Sequence, residues 1–229
     1  DHRNLHLSLR RQRQMCIRDS IVTSPNCTSN ALILALKPLK DQFGIRRVLV
    51  STMQALSGAG WTGVPSMAIT DNVIPYIRNE EEKVEREALK ILGRFDGEKI
   101  VPADIKISAS CHRVNVLEGH LEAVFVELES NADPEEVKEA MRNFKGRPQE
   151  LMLPTAPKQP IIVRDEPDRP QPRLDRYAGG GMSIVVGRIR KDPVLENGIK
   201  FLVLGHNTIR GAAGNAVLNA ELVVKEGYI

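Results

Sequence analysis

Residues 114–129, VNVLEGHLEAVFVELES without its final serine, limit the fold more than any other stretch of this chain. Read with a period of two, Leu121, Ala123, Phe125 and Glu127 point one way, and Glu122, Val124, Val126 and Leu128 the other. Both phases carry apolar side chains, which predicts a strand covered on both sides. Further strands are predicted at Ile21-Val22-Thr23 and over 46–54 (RRVLVSTMQ), 104–111, 160–164, 182–189 and 199–204. Helices are predicted from Cys27 to about Lys40 and from Asn79 to about Leu92, the latter stopped by Gly93. A third starts at Asp133-Pro134-Glu135-Glu136, with Asp as N-cap, Pro in the first turn and acids at the positive end of the dipole. A last one runs from Ile209 to Val224. Strands and helices do not alternate regularly. The predicted class is therefore α+β, with a mixed, largely antiparallel sheet flanked by helices.

Composition narrows the function classes. The chain has 229 residues, 41% hydrophobic and 27% charged, as a soluble globular protein does. Aromatic content is 4%, too little for base-stacking platforms. The net charge of +3 comes from Arg3, Arg10, Arg11, Arg13 and Arg18; the remainder of the chain is balanced, so no nucleic-acid partner is expected. No apolar run approaches the roughly 20 residues that span a bilayer, so no membrane partner is expected either. Three cysteines form neither a disulfide framework nor a zinc site, which points to a reducing cytoplasm and no metal. Residues 1–20 read as an artefactual or disordered segment, set apart from a domain over 21–205 and a C-terminal helix over 206–229.

The chemistry concentrates in two places. In Ser24-Pro25-Asn26-Cys27 a cysteine stands where a turn becomes an apolar-periodic helix. Helix N-terminal amides favour thiolate, and a thiolate can attack a carbonyl and hold the acyl group. A small buried hydrophobe is the alternative for a lone cysteine. In Arg113-Val114-Asn115-Val116-Leu117-Glu118-Gly119-His120 a guanidinium that can clamp a carboxylate precedes an imidazole that can accept a thiol's proton. A surface Arg and a structural His are the alternatives. Gly119 permits a bend beside that histidine. Gln54 ends a strand and opens the Gly-rich loop SGAGWTGVPS, where it can orient a carbonyl or cap the chain. Glu80, Glu81, Glu82 and Lys83 look like a solvated helix face. Gly179-Gly180-Gly181 lacks the strand–turn–helix frame of a dinucleotide fingerprint and reads as a tight turn.

From Ile21 onward the chain resembles the aspartate-semialdehyde dehydrogenases of the archaeal and fungal branch. The resemblance rests on SPNCTSN, STMQALSGAG, VPSMAITDNVIPYI, NEEEK, RVNVLEGH and HNTIRGAAGNAVLNAE, in that order over about nine-tenths of the sequence. It implies reversible reductive dephosphorylation of aspartyl 4-phosphate to aspartate 4-semialdehyde in lysine, threonine and methionine biosynthesis, with NADP as cofactor. It implies Cys27 as nucleophile, His120 as acid/base and Gln54 as the residue placing the substrate carbonyl. It further implies Arg113 as the carboxylate clamp, Glu80 as the ammonium partner, and Asn26 with Lys83 at a phosphate site. Ser57, Gly58 and Asn207 are similar to residues at the nicotinamide end of the cofactor. The family's usual proline in its Arg-Val-Pro-Val motif is Asn115 here.

The resemblance also implies a homodimer or homotetramer. The family's Rossmann unit has no counterpart before Ile21, so the chain matches its catalytic and dimerisation part. The expectation for this stretch alone is an inactive enzyme, with Ile209, Val217, Leu218 and Val223 of the last helix bared. Two other readings share the Cys/His core: a malonyl-CoA reductase-like paralogue and an inactive, truncated dimerisation domain.

Overall fold

The apolar residues after Cys27 recur at helical spacing, and the resulting stripe becomes the centre of the core. Helix α1 (Cys27–Phe43) buries Ala31, Leu32, Ala35, Leu36 and Leu39. Asn26 caps it, its side-chain oxygen accepting from the Thr28 and Ser29 amides at 2.9 and 3.2 Å. The helix runs through Pro38 to Phe43, nearly a turn beyond the predicted end. A proline removes one backbone bond, and burial of Pro38 and Leu39 outweighs that loss. The structure, a computed structural model, describes residues 22–228. The predicted strand at 21–23 does not form over Val22 and Thr23, and Ile21 lies outside the described residues. So does the segment 1–20.

Helix α1 lies on a six-stranded sheet of β1 (Ile45–Gln54), β2 (Lys106–Arg113), β3 (His120–Leu128), β4 (Ile161–Arg164), β5 (Ile184–Lys191) and β6 (Gly198–Gly205). The order is β2-β1-β3-β6-β5-β4. The β1–β2 and β4–β5 pairs are parallel and the other three antiparallel, so the sheet is mixed as predicted. Two more helices, α2 (Glu80–Ile91) and α3 (Pro134–Asn143), complete that layer, and α4 (Gly214–Lys225) lies near the C-terminus. Asp133 forms the predicted N-cap of α3 within a reciprocal capping box with Glu136.

Register sorts the inward face into transverse rows. Ala109, Val50, Val124 and Phe201 form one apolar row, and Ile107, Val48, Val126 and Ile199 the next. Above these, towards the C-terminal end of β1, comes a polar row of Cys111, Thr52, Glu122 and Val203. The last row holds Arg113, Gln54, His120 and Gly205. Three of the side chains singled out from the sequence thus share one end of the sheet.

The outward face departs from expectation. Strand β3 is covered on one side only within this chain; Leu121, Ala123 and Phe125 are half-buried, and Leu49 of β1 is 47% exposed. The predicted strand at 114–129 begins only at His120, because 114–119 turns to bring the chain back antiparallel. The last helix is also different. Residues 209–213 form a π-helical turn before α4, and Leu218, predicted bare, is buried with Leu153 and Met182. Ile209 packs against the same cluster, while Val217 and Val224 remain exposed.

Candidate active site

Cys27 opens α1 directly above the last sheet row, and its Sγ lies 3.2 Å from His120 Nε2. The ring is 1% exposed, and its Nδ1 accepts the Ala55 amide at 3.0 Å. The Ala55 carbonyl in turn accepts Arg113 Nη1 at 2.7 Å. Arg113, 6% exposed, is held at β2's end by a bridge to Ile74. Gln54 is buried beside them and donates to Thr52 Oγ1 at 3.3 Å.

The acidic run Glu80-Glu81-Glu82 is not a solvated face. Glu80 is buried; both its oxygens accept from Asn26 Nδ2 at 3.0 Å, and Oε1 also accepts Thr28 Oγ1 at 3.2 Å. Two turns along the same face of α2, Glu87 accepts the Asn26 amide at 2.8 Å. Glu81 and Glu85, four residues apart, accept the Cys111 and Ala109 amides at 2.9 Å. Those N–H groups face outward from edge strand β2, so the two carboxylates close an edge that would otherwise be open to pairing. Lys83 is exposed, one turn from Glu80, with no hydrogen bond or ion pair to another described residue.

Asn26 is committed on every polar atom of its side chain, capping α1 through the oxygen and holding Glu80 through the nitrogen. In this arrangement its side chain shapes the helix end and has no donor left for phosphate. Asn207 is similarly engaged. Its oxygen accepts the Gly119 amide and its nitrogen donates to Ser57 Oγ, both at 2.8 Å. Gly119 itself turns at φ 96° to deliver His120 into the row. Gly58 packs so closely that a Cβ there would lie 2.8 Å from Arg113 Nη1 and 3.0 Å from His120 Nε2.

The electrostatics overturn one expectation. Cys27 is not poised as a low-pKa thiol: burial, and then the charge of Glu80, push it up to about 11, against opposing hydrogen bonds from Thr28. Helix N-terminal amides are present, but desolvation outweighs them. Burial, Arg113 and His206 push His120 down to about 3. Burial thus disfavours charge on both members of the pair. Burial pushes Cys111 up to about 12. Among the described residues no cluster of His, Cys, Asp and Glu is arranged to hold a metal ion.

An alkylation experiment follows from these values. Limited iodoacetamide treatment with mass-spectrometric mapping should label half-buried Cys27 ahead of Cys111, which is 1% exposed. Because the thiol pKa is raised, the rate should climb about tenfold per pH unit above neutrality rather than level off near pH 7. Faster labelling of Cys111, or a plateau below about pH 8, would contradict this picture.

A family model described as "Semialdehyde dehydrogenase, dimerisation domain" matches residues 36–210. The chain belongs to the semialdehyde dehydrogenase dimerisation-domain family. An aspartate-semialdehyde dehydrogenase from Archaeoglobus fulgidus is 63% identical over 209 residues, covering 91% of this chain and 59% of the relative. The crystal structure of aspartate semialdehyde dehydrogenase with NADP from Candida albicans aligns with a TM-score of 0.81 at 42% identity, over 89% of this chain and 57% of that one. A malonyl CoA reductase (NADP) from Metallosphaera sedula is 43% identical, covering 91% of this chain and 59% of the relative. The chain thus spans somewhat more than half the length of these proteins.

Within this semialdehyde dehydrogenase domain, several participants carry no local sequence signal. Ala55 acts through its peptide groups, which every residue type possesses. Glu81 and Glu85 show only the i, i+4 spacing of many solvated helices. Glu122 is fully buried with both carboxyl oxygens unpartnered among the described residues, and burial with the charge of Glu80 pushes it well above the carboxylate range. Its place two residues from His120 on a covered face of a period-two strand was visible; its lack of a partner was not.

Proposed function

We propose that this chain is the catalytic and dimerisation part of an NADP-dependent aspartate-semialdehyde dehydrogenase. The observation that carries the reading is a pair of buried opposite charges, Glu80 and Arg113, around the Cys27–His120 contact. Arg113 suits a carboxylate, Glu80 suits an ammonium, and a thiol stands near both, which matches an α-amino acid with a reactive carbonyl on its side chain. A dicarboxylic acyl-CoA brings no ammonium to Glu80, so the malonyl-CoA reductase reading is the weaker one.

In this proposal Cys27, as thiolate, attacks the acyl carbon of aspartyl 4-phosphate. The S–C bond forms and phosphate leaves with the electrons of the broken C–O bond. Gln54 orients the carbonyl, and Lys83 supplies positive charge for the phosphate from the exposed side. Ser57 and Gly58 would hold the nicotinamide end of NADP; the half-buried Ser57 hydroxyl accepts from Asn207 and keeps its own proton for a ligand. NADPH, when bound, supplies hydride for reduction to aspartate 4-semialdehyde, an intermediate on the way to lysine, threonine and methionine. The outward sheet face is the proposed homodimer surface. It carries Leu49 and Val194, 47% and 86% exposed, and an open cavity of about 350 Å³ lined by Ser51, Ser108, Ser110 and Phe125.

The test is phosphate-dependent NADP reduction with aspartate semialdehyde by the complete gene product, beside CoA-dependent oxidation of malonate semialdehyde. Turnover with the CoA pair alone would overturn the substrate assignment. In the same assay Arg113→Lys should cost about 10- to 100-fold in kcat/KM, because lysine keeps the charge but loses the planar fork. An unchanged kcat/KM would make Arg113 a structural residue.

A further inference from the structure

Residues 114–119 join β2 to β3 and touch both turns that carry the proposed nicotinamide-side residues. Towards the Leu56–Ala59 turn, the Val116 and Leu117 carbonyls accept the Leu56 and Ser57 amides at 2.7 and 3.1 Å. Towards the turn after β6, the Gly119 amide donates to Asn207 Oδ1 at 2.8 Å. These contacts use backbone donors and acceptors, which almost any sequence supplies. Glu118 adds a side chain to them.

Its carboxylate, 30% exposed, gathers partners from two distant segments. Oε1 accepts Thr208 Oγ1 at 3.2 Å, and Oε2 accepts the Tyr177 hydroxyl at 3.1 Å. His206 Nε2 stands 3.5 Å from the same Oε2, and the Tyr177 and His206 rings meet with their centroids 5.0 Å apart. Beside Tyr177, Arg176 Nη1 donates to the Glu118 carbonyl at 3.3 Å. Adjacent residues 118 and 119 thus hold adjacent residues 208 and 207. Hydrogen bonds to a carboxylate are stronger than neutral ones, so the side chain is the firmer half of this grip. Between Thr208 and His206, Asn207 donates its side-chain N–H to Ser57 Oγ at 2.8 Å.

We infer that Glu118 is a positioning residue for the nicotinamide side of the cofactor site, holding the 206–208 turn so that Asn207 stays on Ser57. This rests on the reading of Ser57, Gly58 and Asn207 as that side of the site. Glu118 makes and breaks no bond in the reaction. Its effect is preorganisation: side chains fixed before a ligand arrives lose less freedom when it binds.

Nitrogen-15 NMR of the 229-residue chain reads the Asn207 side-chain amide without substrate or cofactor, and the signal pair missing from Asn207→Asp identifies it. Glu118→Ala and Thr208→Val should both move that pair and the Gly119 amide. Glu118→Gln can still bond both hydroxyls, which accept as well as donate, and should leave the signals near their wild-type positions. Unmoved signals in Glu118→Ala would overturn the inference. In the complete gene product Glu118→Ala should raise KM for NADP about tenfold, with kcat and KM for aspartate semialdehyde within about twofold of wild type. Glu118→Gln should stay within about threefold throughout. A merely structural role would instead lower kcat and the melting temperature together, and equal losses in the alanine and glutamine variants would also count against positioning by hydrogen bonds. Failure of the wild type to bind NADP would overturn the cofactor reading and this role with it, a result told apart by Asn207 signals that still move in Glu118→Ala.

Discussion

Cys27→Ala should lower phosphate-dependent turnover of aspartate semialdehyde by about 10⁴-fold or more, the scale on which removal of a covalent nucleophile acts. No other thiol can replace it among the described residues. Cys111 lies in the row beneath, 1% exposed, with its pKa pushed up to about 12. The change removes only a sulfur atom from a half-buried position, so fold and thermal stability should be kept. The direct check is mass: the wild-type chain in the complete gene product should gain an acyl adduct on Cys27, and the alanine variant none. Residual turnover within about tenfold of wild type would remove Cys27 from the chemistry.

Gly58→Ala should cost about 100-fold in kcat/KM although it adds one methyl group to an exposed 3₁₀ turn over Leu56–Ala59. That methyl would lie 2.8 Å from Arg113 Nη1, 2.9 Å from His120 Cε1 and 3.0 Å from His120 Nε2. Neither neighbour can yield freely. Arg113 Nη1 is held by the Ala55 carbonyl and the ring by the Ala55 amide, so relief on one side strains the other. Displacement of a clamp or an acid/base group by about 1 Å is enough for a loss of that size. The melting temperature should move by only a few degrees, since Gly58 is exposed and alanine restricts the unfolded chain. Activity within about twofold of wild type would show that Arg113 and His120 tolerate displacement. A collapse in melting temperature would show instead that the loop is structural.

These two predictions differ in what made them possible. Cys27 could be singled out from Ser24-Pro25-Asn26-Cys27 and the apolar helix behind it, because helix starts are written in adjacent residues. The contact of Gly58 with Arg113 and His120 could not. It joins a loop after β1 to the ends of two other strands, and no spacing in the chain announces it.

Much of the fold was legible for the same local reason. The extent of β1, the start of α3 and the two phases of β3 follow from turn chemistry and from side-chain periods of 2 and 3.6. The misreadings arose where burial decides. In Glu80-Glu81-Glu82 the repeat looks uniform, yet Glu80 enters the site, Glu81 closes the edge of β2 and Glu82 stays in water. Helical geometry turns successive residues by about 100°, and only the packing of α2 against β2 and α1 says which direction is inside. The last helix behaves likewise, with Leu218 covered by Leu153 and Met182 from distant segments.

Protonation lay furthest from the sequence. A cysteine at a helix N-terminus suggests thiolate, because the amides that favour it are local. The desolvation that pushes Cys27 up to about 11, and His120 down to about 3, comes from the whole sheet and helix layer closing over them. Local chemistry named the residues that can react, since their type and helix-end or strand-end placement are properties of neighbouring sequence. Tertiary packing set their surroundings and their partners, since burial and hydrogen bonding in this site join residues as far apart as Cys27, Ala55 and His120.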